Sequence, residues 1–173
     1  MIFLRHAVTD AGPDLCYGRT DVGLGHEAEA QMTAVLSRLE RPAEIRTSPL
    51  SRCRVLADRL GAAFALPPVS DARLQEYDFG DWEGRRWPDI PRSQSDPWIA
   101  DMYRSAPPGG ESFADLIDRV GAALQEIGDN TLVVCHAGPI RAARMILTGA
   151  SFEDVFAWKV PYCEPVVLQR EPA

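Results

Sequence analysis

The chain has 173 residues, the length of one ordinary domain, and it is long enough to bury a substantial core. Hydrophobic residues make up 46% of the sequence and charged residues 25%, a balance typical of globular proteins and not of disordered ones. With 18 Lys and Arg against 25 Asp and Glu, the formal net charge is −7, which argues against nucleic-acid and membrane partners because both are anionic.

The chain opens with a short apolar run at residues 2–4, which ends on Arg5 and His6 and is followed by a loop at residues 7–13. A short apolar run bounded by turn formers predicts a buried strand, and ligands of an open α/β sheet bind beyond the carboxyl ends of its strands. Arg5 and His6 are therefore candidate site residues. This pair alone leaves open a surface arginine and a structural, hydrogen-bonded histidine.

Apolar residues at helical spacing predict a helix over residues 27–41, and a brief strand is expected at residues 45–47. A second helix should follow, with Ser48 as its N-terminal cap, and should run to about residue 63. Arg52 lies in its first turn, where free N–H groups and the helix dipole already favour an anion. This position makes Arg52 a candidate anion-binding residue.

Residues 66–73 are predicted to form a connecting strand, and an acidic, aromatic segment follows at residues 74–84. This segment carries Glu76, Asp78 and Glu83 and shows no clear period. An acidic loop of this kind is ordinarily a solvated surface loop, so its functional interpretation depends on the rest of the site.

Residues 85–110 are rich in proline and show little periodicity beyond a short helix expected around residues 98–104. A stretch of this length cannot hold a core of its own. We therefore expect an excursion folded over the site and not a second domain.

A capping-box pattern at Ser112 and Asp115 predicts a helix that reaches about residue 127. The continuous β-branched run at residues 131–135 is typical of a central strand buried on both faces, and it ends on His136. The last expected elements are helices at residues 140–149 and near 152–158, and a strand near 166–168.

Two strands that end in histidine and an arginine at a third strand-to-helix junction should converge at one edge of the sheet. Arg5, Arg52, His6 and His136 would then form a cationic cup suited to a phosphoryl group of about two charges. The rival interpretation is a metal site. The arginines argue against it because fixed positive charge repels a cation, and no carboxylate adjoins either histidine.

The cup has a consequence for the chemistry of His6. Neighbouring cations should lower the pKa of its imidazole and leave a neutral, nucleophilic nitrogen that can attack phosphorus and form phosphohistidine. The departing alkoxide then needs a proton, which a carboxyl group in a partly apolar loop can supply. Glu76 is the first choice for this acid, Glu83 the second and Asp78 the third.

Four segments, at residues 4–9, 48–53, 74–84 and 134–138, resemble in content and order the motifs of the histidine phosphatase superfamily, the phosphoglycerate mutase-like proteins. The resemblance implies a single domain over residues 1–173. Its fold would be a three-layer α/β fold with a mostly parallel central sheet flanked by helices and with residues 85–110 as a lid-like insertion.

The resemblance also implies metal-independent hydrolysis of a phosphomonoester without a cofactor. His6 would be the phosphorylated nucleophile, and Glu76 the acid and later the base for water. The phosphoryl group would be bound and stabilised by Arg5, Arg52 and His136, with Thr9, Tyr17, Gly18 and Ala137 as further substrate or phosphate contacts.

Some residues depart from the family pattern. Ala7 replaces the glycine that usually follows the histidine, a small change that is tolerated if the backbone φ is negative. Gly12 stands where many members have a phosphate-contacting asparagine, and Tyr17 stands where mutases often have threonine. Both of these differences argue against a mutase.

Segments at residues 15–21, 107–112 and 161–163 resemble most the branch of the superfamily that hydrolyses α-ribazole-5'-phosphate in cobalamin synthesis. The benzimidazole base of this substrate could stack on aromatic side chains in or beside the excursion, namely Trp82, Trp87, Trp98 and Tyr103. Ordinary packing explains these aromatic residues equally well. A broad-specificity phosphatase and a phosphoglycerate mutase remain alternatives, as does a phosphate-binding regulatory module without turnover.

The four cysteines, Cys16, Cys53, Cys135 and Cys163, form no C-x-x-C pair, so neither a disulfide framework nor a zinc knuckle is indicated. The sequence shows no signal-peptide pattern and no run near the roughly 18 apolar residues of a membrane span. We therefore expect a cytoplasmic protein with reduced thiols. Its expected partner is a small phosphomonoester, with no nucleic acid and no membrane, and a homodimer stays open.

Overall fold

The fold is built on a mostly parallel sheet, as seen in a computed structural model that describes residues 1–169. Within these residues the strands are β1 (Ile2–Arg5), β2 (Glu44–Thr47), β3 (Val69–Ser70), β4 (Thr131–Cys135) and β5 (Val166–Val167). Their order across the sheet is β3-β2-β4-β1-β5, and only the pairing of β5 with β1 is antiparallel.

Helices cover both faces of this sheet. They are α1 (Ala28–Leu36), α2 (Ser51–Phe64), α3 (Arg92–Ala100), α4 (Phe113–Leu124), α5 (Ala137–Thr148) and α6 (Phe152–Ala157). Three short 3-10 turns lie at Ala72–Leu74, Gly80–Trp82 and Trp87–Asp89. The predicted capping box of α4 is confirmed, since Ser112 and Asp115 each accept a hydrogen bond from the other's backbone N–H.

The two central strands contribute to a core on each face because successive side chains of a strand point in opposite directions. Phe3 and Val133 pack in the cluster formed with α4 and α5, whereas Leu4, Leu132 and Val134 pack in the cluster formed with α1 and α2. Burying each such side chain contributes roughly 1.5–3 kcal/mol. Double burial explains why these strands are continuously apolar and confirms the three-layer α/β fold.

Some element bounds differ from the expectation. The helix predicted over residues 27–41 ends at Leu36, where the Ser37 hydroxyl and the Arg38 N–H turn back to the carbonyls of Ala34 and Val35. Apolar residues beyond this point still pack on the same core, which explains why the apolar spacing in the sequence extends past the end of the helix.

Two further elements were predicted wrongly. The strand expected over residues 66–73 is only two residues long, because Asp71 accepts the Arg73 N–H and starts a 3-10 turn. The short helix expected at residues 98–104 instead occupies Arg92–Ala100 and contains Pro97, a residue that disfavours helix interiors. None of its residues is buried, so an apolar pattern could not reveal it.

The strand register determines which residues meet at the edge of the sheet. Arg5 pairs with Cys135 and Thr47 with Val134, and the three strands β1, β2 and β4 are parallel. The residues that follow them are therefore neighbours at one edge.

Candidate active site

The first pair at this edge is His6 and His136. The His6 N–H donates to the Cys135 carbonyl (3.0 Å), so the parallel pairing continues one residue beyond β1. Adjacent strands lie about 4.8 Å apart, and the two imidazole centroids are separated by 5.1 Å. Both rings are almost fully buried. The structure thus brings together the two histidines that the sequence placed at the ends of separate strands.

Arg52 reaches the same edge from the first turn of α2 and is completely buried, with 0% of its surface exposed. Its Nε donates to His136 Nδ1 (3.3 Å). Its Nη1 and Nη2 donate to the carbonyls of Thr20 (2.9 Å) and Gly18 (2.5 Å). The guanidinium is therefore held by three protein groups directly beside the second histidine.

The prediction that Ser48 caps α2 is wrong. The helix begins at Ser51 without a side-chain cap from Leu50, and the Asp21 carboxylate accepts from the Ser51 N–H (3.1 Å) and hydroxyl (2.8 Å) instead. The Ser48 hydroxyl lies 2.8 Å from His136 Nε2. Sequence reasoning missed this contact because strand register, and not the capping pattern, places Ser48 beside the histidine.

The contacts of His136 define its tautomer. Because Arg52 can only donate, His136 Nδ1 accepts, and the neutral ring carries its proton on Nε2, which donates to Ser48. Burial lowers the pKa of His136 well below its ordinary value, and the nearby His6, Arg52 and Arg5 lower it further. The ring is therefore a neutral donor.

The same reasoning applies to His6. Its Nδ1 lies 2.7 Å from the Ala7 carbonyl, which can only accept, so Nδ1 carries the proton and Nε2 keeps its lone pair. The pKa of His6 is lowered to about 3. Burial is the largest cause and outweighs the opposing hydrogen bond to Ala7, while Arg52 and Arg5 contribute less. The expected direction is thus found, but desolvation and not charge is its main cause.

Arg5 is held by the C-terminal part of the chain. Its Nη1 donates to the Val160 carbonyl (2.9 Å) and its Nη2 to the Tyr162 hydroxyl (2.8 Å), and its guanidinium carbon lies 3.7 Å from the Tyr162 ring centroid. The Tyr162 ring also lies 5.6 Å from the His6 ring. In the sequence, Tyr162 stands out only as part of the segment at residues 161–163, and it was not predicted as a site residue.

The predicted contacts Thr9, Tyr17 and Gly18 lie on the loop side of the site. The hydroxyls of Thr9 and Tyr17 are 3.1 Å apart. A side chain at Gly18 is excluded because its Cβ would lie 1.7 Å from the Tyr77 carbonyl oxygen. Ala137 follows the second histidine and lines the cavity described below, as does Tyr17.

The three candidate acids have different surroundings. Glu76 lines the cavity with His6, and its Oε1 accepts from the backbone N–H groups of Tyr77 (2.9 Å) and Gly138 (3.0 Å). Asp78 instead forms an ion pair with Arg19 (2.9 Å). Among the three, only Glu76 lines the cavity.

A cavity of about 300 Å³ opens at this edge of the sheet. Its ionisable lining comprises Arg5, His6, Glu76 and Arg141 beside the tyrosines, whereas Arg52 and His136 are fully buried and are not part of the lining. Its wall is otherwise aromatic and apolar. The residues of that wall are Pro13, Leu15, Tyr17, Tyr77, Phe79, Trp87, Trp98, Met102, Phe113 and Phe156, with Ala137 and Gly138 beside the histidine.

Part of this wall comes from residues 85–110, through Trp87, Trp98 and Met102. The rings of Trp87 and Trp98 are stacked, with centroids 6.2 Å apart and an interplanar angle of 18°. Sequence reasoning identified both tryptophans but missed Met102 and Arg141. The sequence spacing gives no signal for either residue, because only residues three or four apart share a helix face.

Residues 1–169 contain neither a metal-binding cluster nor a membrane-spanning helix. This part of the chain contains no group of three or more His, Cys, Asp or Glu residues arranged to hold a metal ion. It also contains no helix long and apolar enough to cross a membrane.

Comparison with known proteins places this geometry in a family. The model of the histidine phosphatase superfamily, branch 1, matches residues 1–173. A 2,3-bisphosphoglycerate-dependent phosphoglycerate mutase of Chelativorans is 30% identical over 190 residues, which cover 99% of this chain and 92% of that protein.

A bifunctional protein of Mycobacterium tuberculosis is 35% identical over 155 residues, which cover 82% of this chain. The match spans only 42% of the length of that relative. Among solved structures, the α-ribazole phosphatase from Shigella flexneri has a TM-score of 0.82 at 24% identity, covering 94% of this chain and 86% of that one. This likeness concerns the fold alone.

The family match extends over the whole sequence, and the motif residues lie together at one sheet edge. The chain belongs to the histidine phosphatase superfamily, branch 1.

Proposed function

We propose that this chain hydrolyses a phosphomonoester through a phosphohistidine at His6, without a metal ion. The observation that carries this proposal is the state of His6, a buried, neutral imidazole at the cavity whose Nδ1 proton is held by the Ala7 carbonyl. The remaining nitrogen, Nε2, has the lone pair that a nucleophile needs.

The reaction runs in two displacements. His6 Nε2 attacks phosphorus, the bond between phosphorus and the ester oxygen breaks, and Glu76 gives its proton to the departing alkoxide. A water molecule then attacks the phosphohistidine, Glu76 takes the proton from that water, and phosphate leaves with His6 restored. Arg5, Arg52 and His136 stabilise the charge of the phosphoryl group, with Thr9, Tyr17, Gly18 and Ala137 as further contacts.

The cavity supports a phosphatase over a phosphoglycerate mutase. A mutase must bind the carboxylate of a three-carbon acid next to the phosphoryl group, which favours several cations in the cavity. The adjacent Arg85 and Arg86 are engaged elsewhere, by the Asp89 carbonyl (2.7 Å) and the Asp14 carboxylate (3.1 Å), and neither lines the cavity. Arg141 does line it, but it already donates to the carbonyls of Val155 and Trp158.

The aromatic wall supports a substrate with a flat, apolar leaving group. Phe79, Trp87 and Trp98 line the cavity, and contacts between aromatic rings are worth about 0.5–1.5 kcal/mol per pair beyond simple burial. Together with the resembling segments at residues 15–21, 107–112 and 161–163, this wall supports α-ribazole-5'-phosphate, from cobalamin synthesis, as the substrate. A broad-specificity phosphatase is the alternative.

A panel of phosphomonoesters tests both the reaction type and the substrate preference that we propose. Phosphate release is ranked by kcat/KM for α-ribazole-5'-phosphate, p-nitrophenyl phosphate, glycerol 2-phosphate and 3-phosphoglycerate, and the last is also assayed for isomerisation with a bisphosphate primer. We expect the aromatic esters to lead by about tenfold. Isomerisation faster than phosphate release would establish a mutase, and equal values for all esters would refute the aromatic preference.

A further inference from the structure

Glu83, the second candidate for the acid, has an unusual set of partners. Its carboxylate accepts hydrogen bonds from the backbone N–H groups of Gly18 (3.0 Å), Arg19 (2.9 Å), Thr20 (3.0 Å) and Phe79 (3.1 Å), and from the Thr20 hydroxyl. No ion pair joins it to a cation of residues 1–169. Its oxygens are therefore occupied by the protein, and Glu83 does not line the cavity.

Ionisation of Glu83 is consistent with these contacts. Burial alone would raise the pKa of this carboxyl, but the hydrogen bonds from Gly18, Thr20 and Arg19 outweigh it and hold the pKa below its ordinary value. A carboxylate that accepts this many N–H bonds is an anion at neutral pH, and a residue that stays ionised is a poor proton donor.

The segment that Glu83 binds, Gly18 to Thr20, is held from its other side by Arg52. The N–H groups of Gly18 and Thr20 point to the carboxylate, and their carbonyls accept from Arg52 Nη2 and Nη1. Both residues are thus oriented between an anion and a cation. For the peptide group that joins Gly18 to Arg19, whose carbonyl accepts from Arg52 and whose N–H donates to Glu83, the two charges stabilise the same orientation of the dipole.

The segment has little room to move. A Cβ at Gly18 would meet the Tyr77 carbonyl oxygen at 1.7 Å and Glu83 Oε1 at 2.8 Å. Beyond it, Arg52 Nε donates to His136 Nδ1 (3.3 Å), and this bond defines the His136 tautomer. The contacts form one continuous chain from Glu83 through the segment at residues 18–20 to Arg52 and His136.

We propose that Glu83 is a positioning residue which, through the segment at residues 18–20, holds Arg52 in place and thereby keeps His136 in its Nε2–H tautomer. The inference rests on the proposed function only for the part that Arg52 and His136 take in phosphoryl transfer. The arrangement itself is a property of the folded chain.

The test compares Glu83→Gln with Asp81→Asn. The glutamine amide would turn an N–H₂ group towards backbone donors, whereas Asp81 is an exposed carboxylate in the 3-10 turn that Glu83 directly follows and serves as the matched control. The first measurement is the ¹⁵N spectrum of the His136 ring. We expect one protonated and one unprotonated nitrogen in the wild type and the control, and converging shifts from tautomer exchange in Glu83→Gln.

The second measurement is inhibition by orthovanadate, which mimics the phosphoryl group in the transition state. We expect its affinity to fall about tenfold or more in Glu83→Gln and to change less than about twofold in the control. Wild-type His136 shifts and vanadate affinity in a folded Glu83→Gln protein would overturn the inference. If the wild type hydrolyses no ester, the proposed function fails, while the ¹⁵N spectra still decide the role of Glu83.

A milder variant keeps the inference testable if Glu83→Gln does not fold. Thr20→Val removes only the hydroxyl bond to Glu83 and leaves the backbone bonds in place. We expect vanadate affinity to fall about two- to threefold in this variant, with partial convergence of the His136 nitrogen shifts. Spectra and affinity identical to the wild type would count against the proposal.

Discussion

The edge of the sheet and the excursion at residues 85–110 face the same cavity but are built differently. At the edge, His6, Arg52 and His136 are almost completely buried, and strand register and hydrogen bonds hold each of them. The excursion contains α3, none of whose residues is buried, and it contributes aromatic side chains. Under the proposed function, we therefore expect the buried edge to carry the phosphoryl chemistry and the excursion to influence substrate choice.

Replacing His6 should cause the largest loss of activity. In His6→Ala the aromatic part of the cavity wall is unchanged but the nucleophile is absent, so we expect kcat for every ester of the panel to fall by about 10³-fold or more. Steady-state phosphate release measures the effect, and an unchanged thermal unfolding midpoint controls for folding. Activity above about a tenth of the wild-type value would contradict the role of His6.

Glu76→Gln should give the next largest effect, and its size should depend on the leaving group. An alkoxide needs a proton, so kcat for glycerol 2-phosphate should fall about 10²–10⁴-fold. p-Nitrophenolate leaves without protonation and should therefore show a much smaller fall in the first step. A pre-steady-state burst with both esters measures this step, and equal losses for the two would argue that Glu76 is not the acid.

A change in the excursion should affect one substrate class only. Trp87→Ala removes a ring from the cavity wall, so kcat/KM for α-ribazole-5'-phosphate should fall about five- to tenfold while glycerol 2-phosphate stays within about twofold. Trp87→Phe keeps an aromatic ring and should recover most of the loss. Equal losses of kcat/KM with both esters would indicate that Trp87 serves packing, and would contradict separate roles for the edge and the excursion.

The smallest expected effect concerns stability against pH. Burial lowers the pKa of His6 from 6.5 to about 3, so the unfolded chain binds a proton below pH 6.5 that the folded chain does not. The folded state must therefore lose stability as the pH falls from about 6.5 towards 3. Above that range His6 is neutral in both states and has no effect.

His6→Asn lacks this linkage. Between about pH 6 and 4, the free energy of unfolding of the wild type should fall more steeply than that of the variant, by about 1 kcal/mol per pH unit. Urea denaturation at each pH measures the difference. Parallel curves over this range would show that His6 is protonated in the folded protein.

The contrast between the buried edge and the exposed excursion also explains which parts of the fold and site the sequence predicts. His6 and His136 could be predicted as neighbours because each directly follows a continuously apolar strand, and parallel strands end at one edge. Ser48 was assigned to a helix cap because a local pattern matched, whereas its actual partner is 88 residues away. The placement of α3 failed because an exposed helix that contains Pro97 leaves no apolar period to read.

The role of Glu83 shows a second limit of the sequence. Its residue type and acidic surroundings made Glu83 the second choice for the acid after Glu76, and its contacts with the backbone N–H groups of a distant loop are visible only in the structure. Such contacts depend on loop conformation, for which the sequence has no periodic signal.

Covalent trapping tests the central claim of this account most directly. The enzyme is mixed with a phosphomonoester, quenched within milliseconds in base, digested, and the phosphorylated peptide is identified by mass spectrometry. We predict one phosphoryl group on His6, stable in base, labile in acid and absent from His6→Ala. A turning-over enzyme without a phosphorylated peptide, or with the phosphoryl group on another residue, would contradict it.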